Sequence, residues 1–212
     1  MKLKRFSIVI PFKSDSGHRD LLMDYVYHRY KKQFPKAEIV IGEDTDEDGE
    51  FNRSRARNNG VKNSSNDILL LSDGDLIITK KTIEKGIRKL KESPFVIPWG
   101  RCYDINQSMT YKIIRKSSLN FSKLNSSISR IRDIRQEKLA GGIQLITREL
   151  YDRIDGYEEL FFSWGWEDAY FCKKVEAALG DYPLLPDEKI YHLFHPHDKP
   201  NPNNYHLYNA LI

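Results

Sequence analysis

Asp73-Gly74-Asp75 is the segment of this sequence best suited to chemistry. Two carboxylates across a glycine turn can hold a hard divalent cation, and that cation can bridge the oxygens of a diphosphate. Asp-Gly-Asp alone is a common turn. Here it follows Ile-Leu-Leu-Leu-Ser, an apolar run that reads as a buried strand, so the acids fall at a sheet rim. Asp44-Thr45-Asp46-Glu47-Asp48-Gly49 imitates the first half of a calcium-binding loop. The bidentate acid that such a loop needs at its end is replaced by Arg55, and the preceding run is strand-like, so a calcium loop is rejected.

Three further clusters have useful chemistry. Arg53, Arg55 and Arg57 lie in one short helical stretch, where Arg53 and Arg57 share a face and Arg55 points elsewhere. Two guanidiniums at the rim can neutralise a diphosphate or brace carboxylates. Trp164-Gly165-Trp166-Glu167-Asp168 places flat apolar rings beside two acids, a combination suited to a sugar ring and to proton abstraction from a hydroxyl. A core aromatic pair followed by acids at a helix N-terminus is the plainer alternative. His192-Leu193-Phe194-His195-Pro196-His197-Asp198 offers imidazoles. On a continuous strand His192 and His195 face opposite sides, so both reach one ion only if the chain turns near Pro196.

The elements that must carry these residues alternate in the first half. Phe6–Ile10, Ala37–Ile41 and Ile68–Leu71 read as buried strands; His18–Phe34, Asn52–Val61 and Thr79–Leu90 read as helices. This order predicts an α/β fold with a mainly parallel sheet flanked by helices. Such sheets bind ligands outside the carboxyl ends of their strands. Pro11-Phe12-Lys13, Glu43-Asp44 and Ser72-Asp73-Gly74-Asp75 all fall there. Neither G-x-G-x-x-G nor a P-loop pattern follows any strand. Beyond Phe95 the order is irregular: Phe95–Trp99 and Met109–Ile114 read as strands, Ile143–Thr147 as a strand after Gly141-Gly142, Glu167–Leu179 as a helix, and the tail is rich in Pro and Asn. The 212 residues suit one domain.

The net charge of +4 is uneven. Between Tyr111 and Lys138 eight basic residues face only Asp133 and Glu137, a bias that would draw an acidic or phosphorylated partner. No apolar run approaches the ~20 residues of a membrane span. Cys102 and Cys172, far apart, suggest neither a disulfide framework nor a metal site, and a cytoplasmic location is expected.

Taken in order, these segments resemble the inverting GT-A glycosyltransferases related to the β-1,4-galactosyltransferases and the bacterial chondroitin polymerases. The resemblance rests on Pro11-Phe12-Lys13, Phe51-Asn52-Arg53 with Asn58 and Gly60, Ser72-Asp73-Gly74-Asp75-Leu76, Gly141-Gly142, Trp164 to Asp168, and His195 leading to Asn201-Pro202-Asn203. It implies a GT-A fold, mixed and Rossmann-like, with residues 1–95 binding a UDP-sugar and residues 96–212 holding the acceptor and the catalytic groups. Pro11, Phe12, Lys13, Asp44, Arg53, Arg57, Asp73 and Gly142 would contact the donor. Asp75 and His195, with Asp73 and His192, would bind Mn2+ or Mg2+. Trp164, Trp166 and Glu167 would position a glycan or other hydroxyl acceptor, and Asp168 would be the general base, with Glu167 beside it. Two departures stand out: Trp166 occupies the position of a family glycine, and Leu139 replaces an aromatic two residues before Gly141-Gly142. The smaller Leu139 suits a donor sugar with a bulkier substituent, such as an N-acetyl group. Two rival readings follow. The basic stretch could place the acceptor on nucleic acid, for example a modified base in DNA. A non-catalytic sugar- or nucleotide-binding module is the other, and the intact acids Asp73, Asp75 and Asp168 speak against it.

Overall fold

The computed structural model describes residues 5–45, 50–116, 124, 127–134, 141–196 and 199–212. The chain begins with β1 (Ser7–Pro11), α1 (His18–Gln33), β2 (Glu38–Gly42), α2 (Arg53–Lys62), β3 (Ile68–Ser72), β4 (Leu76–Ile78) and α3 (Lys80–Lys89). β5 (Phe95–Val96), β6 (Arg101–Ile105), α4 (Gln107–Lys116), β7 (Ile128–Asp133) and β8 (Ile143–Thr147) follow. It ends with α5 (Arg148–Arg153), α6 (Glu167–Leu179), β9 (Lys189–His192) and α7 (Pro202–Leu211).

The larger sheet has the order β2-β1-β3-β8-β5. β1 is parallel to β2 and to β3, while β8 runs antiparallel to β3 and to β5. All its strands but β8 therefore point one way, the mixed, mainly parallel sheet expected. Its central strands are mostly apolar because both faces are covered: Ile8, Val9, Ile10, Leu69, Leu70 and Leu71 are all buried. Helix α2 packs directly on β1 and β2. It approaches this closely because glycines face each other: a Cβ on Gly42 would strike the Ala56 carbonyl, and one on Gly60 would meet Val9 Cγ1 at 2.5 Å. That contact brings the arginines of α2 down to the sheet rim.

A second, smaller sheet, β4-β9-β6-β7, was not legible in the sequence. β9 is antiparallel to β4 and parallel to β6, and β6 is antiparallel to β7. Asp73-Gly74-Asp75 is the link between the two sheets. The Asp73 N–H donates to Gly142 O at 2.9 Å beside the large sheet, and Asp75 O accepts from Leu193 N at 2.9 Å beside the small one. The two acids thus belong to different layers.

Other expectations need correction. Met109–Ile114 is helical, not a strand: it lies inside α4, whose first turn is capped by Asn106 Oδ1 accepting from Met109 N at 2.9 Å. Thr110 and Ile113 are its buried positions, a helical spacing. The strand at Phe95 stops after Val96, with Ile97 making an isolated bridge to Leu184. The Pro- and Asn-rich tail contains α7, with Asn201 accepting from Asn203 N and Pro202 in the first turn.

Candidate active site

Two adjoining pockets open at the carboxyl ends of β1 and β3, sharing Arg19, Arg53, Asp73 and Asp75. One runs along Pro11, Phe12, Lys13 and Phe51. The other extends over the small sheet to Gly142, Trp164, Asp168, His192 and His195. Asp73 and Asp75, Trp164 and Asp168, and His192 and His195, separated in sequence, therefore meet in one cleft.

On the small-sheet side, β9 ends at His192 and the chain turns, so that His195 returns to the same side. His195 Nε2 lies 3.1 Å from Asp75 Oδ2, His192 Nε2 lies 3.7 Å from the same oxygen, and the two Nε2 atoms are 3.2 Å apart. Each ring is held through its other nitrogen: Nδ1 of His192 is 3.1 Å from Asp104 Oδ1, and Nδ1 of His195 is 2.8 Å from Pro196 O. Against burial, hydrogen bonds to Asp104 and Asp75 raise His192 to about 9, so that ring donates from both nitrogens when no cation is bound. A cation would displace the Nε2 proton, and the Nδ1 contact would then fix which nitrogen ligates. One ligand atom each from Asp75, His192 and His195 lies within 4.8 Å of the others, a set that fits a divalent cation. Asp73 is not part of it. Burial works against ionisation of Asp75, yet hydrogen bonds from the two imidazoles hold it well below the usual carboxylate range.

On the opposite side, Arg57 is only 2% exposed and organises three acids. Its Nη2 donates to Asp73 Oδ1 at 2.8 Å, Glu167 and Asp168 each lie 3.6 Å from the guanidinium, and the Tyr157 ring lies under it at 4.8 Å. Arg57 is the buried cation of this corner, and Arg53 acts on Asp73 from the cleft side. Burial, assisted by Glu167 and Asp73 and opposed by Arg57 and Tyr157, raises Asp168 to about 6. Burial and Asp75 raise Asp73 as well, against the pull of Arg57. The Tyr157 hydroxyl is 2.9 Å from Asp168 Oδ1 and 2.8 Å from Gln144 Oε1. It orients the Asp168 carboxyl, whose other oxygen passes so close to Gly141 that any Cβ there would overlap it.

The cleft also explains the local sequence around Phe51-Asn52-Arg53. Asn52 caps α2 by accepting from Arg55 N, donates to Glu159 O at 2.6 Å and bridges Ser163. This ties Arg53 to the Trp164 loop across the pocket.

Pro11, Phe12, Lys13, Arg53, Asp73, Asp75, Gly142, Trp164, Asp168, His192 and His195 all line the cleft. Four expected site residues do not. Asp44 is engaged with Asn52 N and Arg55, so it braces the segment carrying Arg53. Arg57 lies beneath the floor. Glu167 turns inward, accepting from Gly165 N at 3.0 Å and facing Arg57. Trp166, left-handed at φ 74°, leans on Tyr205 and Tyr208 of α7 with ring centroids 5.0 Å away. The basic stretch is not a single face: Lys112, Arg115 and Lys116 belong to α4, and Arg130 and Arg132 to β7. Lys123, Arg135, Lys138, Leu139, His197 and the Asp46–Gly49 turn lie outside the described residues. Sequence reasoning missed Arg19, which carries no motif, and Asp104, which becomes informative only when β6 is seen beside β9.

The sequence matches glycosyl transferase family 2 over residues 45–155 and the N-terminal domain of galactosyltransferase over residues 121–196. No curated protein matches it. Among solved structures, the catalytic domain of Drosophila beta1,4galactosyltransferase 7 with xylobiose aligns with a TM-score of 0.60 at 17% identity, over 97% of this chain and 79% of that one. A mutant of the same enzyme with manganese, UDP-Gal and xylobiose gives 0.56 at 15% identity, over 95% and 78%. S. aureus TarS with UDP-GlcNAc gives 0.58 at 13% identity, over 92% and 60%. At such identities the likeness establishes a common fold. Among the described residues no helix is long and apolar enough to cross a membrane.

Proposed function

The chain belongs to glycosyl transferase family 2 and has the GT-A fold, and from this we propose that it transfers a sugar from a UDP-sugar to a hydroxyl of a glycan or similar acceptor, with inversion. The observation that carries the reading is a single cleft lined both by the Asp75–His192–His195 cluster and by the raised carboxyl of Asp168. Solved neighbours with this fold hold UDP-Gal with manganese, or UDP-GlcNAc.

Pro11, Phe12 and Lys13 lie along the donor's nucleoside and phosphates, Arg53 supplies positive charge to the diphosphate, and Asp73, steadied by Arg57, faces the ribose or donor sugar. Asp75, His192 and His195 would hold a divalent cation; two imidazoles beside one carboxylate favour Mn2+ over Mg2+, which prefers all-oxygen surroundings. When bound, that cation offsets the charge developing on the departing diphosphate. Trp164 forms the acceptor wall. Asp168 accepts the proton of the attacking hydroxyl, whose oxygen displaces UDP from the anomeric carbon in one step.

Incubating the protein with a panel of UDP-sugars and Mn2+, and measuring UDP release, tests this reading. Slow donor hydrolysis that stops on chelation is expected; release of no UDP from any donor, with Mn2+ present, would refute it. Gly141→Ala gives a sharper check on the base. The new methyl must displace the Asp168 carboxyl, and a misplacement on the order of 1 Å is expected to lower kcat about 10²-fold with KM for the donor little changed. Equal kcat for this variant and the wild type would remove Asp168 from the reaction.

A further inference from the structure

The carboxylate of Asp104 lies behind the cation cluster, on a strand to which the site motifs give no role. In the parallel pairing of β6 with β9, Asp104 stands directly opposite His192. Side chains at such paired positions project to the same face. Asp104 Oδ1 is 3.1 Å from His192 Nδ1, the nitrogen turned away from Asp75 and His195. Arg132, on the other neighbour of β6, grips the same carboxylate twice: Nη2 donates to Oδ1 at 2.6 Å and Nε to Oδ2 at 3.1 Å. Asp104 is therefore fixed from one side by a two-pronged guanidinium and fixes His192 on the other. The Nδ1 of His195 lies 2.8 Å from the backbone carbonyl of Pro196.

We infer that Asp104 is a positioning residue for the cation site, setting the ring orientation and proton placement of His192 so that Nε2 is presented towards Asp75 and His195, with Arg132 holding Asp104 in place. A ligating imidazole commonly donates its other N–H to a carboxylate, which fixes its tautomer and increases its basicity, and removing that partner weakens metal affinity about 10- to 100-fold. A purely structural Asp104–Arg132 pair would instead alter folding stability and leave cation affinity unchanged. This inference rests on the cation reading of the cleft.

The test is direct Mn2+ binding to the full chain, by electron paramagnetic resonance of the free ion, with no donor or turnover involved. Asp75→Ala serves as the reference for loss of a ligand, and metal-free melting curves report folding. Asp104→Ala is expected to weaken Mn2+ about 10- to 100-fold. Asp104→Asn keeps an oxygen able to accept from Nδ1 and should lose less, about tenfold. If Asp104→Ala does not fold, Asp104→Asn decides the question. Mn2+ affinity within twofold of wild type in the folded variant, beside a large loss in Asp75→Ala, would overturn the role of Asp104 and leave the cation site standing. Failure of the wild-type chain itself to bind Mn2+ would overturn both.

Discussion

Asp168→Asn is expected to lower kcat about 10²- to 10⁴-fold, the range attributable to a positioned general base. The amide keeps the size of the carboxyl and can still accept from the Tyr157 hydroxyl, so the loss is chemical and not a collapse of the cleft. The pH profile is equally specific. Burial raises Asp168 to about 6, so the wild-type rate should climb through pH 6 and level off above it, as the carboxyl ionises. The variant should lack that limb. The stability effect has the opposite sign. A carboxyl whose value is raised by folding holds its proton more tightly in the folded state. Its contribution is thus fully present below the ordinary carboxylate range and is lost as pH rises through about 6. At pH 7.5 the metal-free Asp168→Asn protein should match or exceed the wild-type melting temperature while being nearly inactive. Rates measured from pH 5 to 8, together with melting curves, check both halves. A variant with wild-type kcat, or a wild-type profile flat between pH 5 and 7, removes Asp168 as the base.

Asp75→Ala is expected to abolish Mn2+ binding and to lower kcat about 10³-fold, the equivalent of several kcal/mol of transition-state stabilisation. Asp75 is the only carboxylate in the three-residue cluster found among the described residues, and both imidazoles are set against one of its oxygens. Without it, Asp73 is no substitute, because its carboxylate is engaged by Arg57. Binding to the folded state alone stabilises it by RT ln(1 + [L]/Kd), so the melting temperature rises with free ligand. The wild-type chain should therefore be stabilised by Mn2+ with UDP, and Asp75→Ala should not. Undiminished turnover in Asp75→Ala under chelation would leave the cluster without a catalytic purpose.

The sequence carried the donor side of the cleft well and the acceptor side poorly. Pro11-Phe12-Lys13 and Asp73-Gly74-Asp75 are local: each sits at the end of an apolar run, so strand periodicity alone places it at a rim. The Asn52–Val61 helix was also legible locally, and the structure adds the Asn52 cap that starts it. The partition of the α2 arginines also followed from helical spacing, with Arg55 turned to Asp44 and Arg57 to the acids. What spacing could not say is depth: Arg57 and Glu167 look like surface charges in sequence and are buried together in the fold.

Local sequence, then, determined the large sheet, the helices that follow its strands, and the presence of acids, arginines and histidines able to serve one cleft, because those features depend on residues only a few positions apart. Tertiary structure alone decided which of them meet. The small sheet joins β4, β6, β7 and β9 from distant parts of the chain, and only that pairing sets His192 against Asp104 and next to Asp75. The turn after β9 returns His195 to the same side, and the packing of α7 draws Trp166 away from the cleft. Long-range pairing has no periodic signature in the sequence, because its register is set by the whole core and not by neighbouring residues.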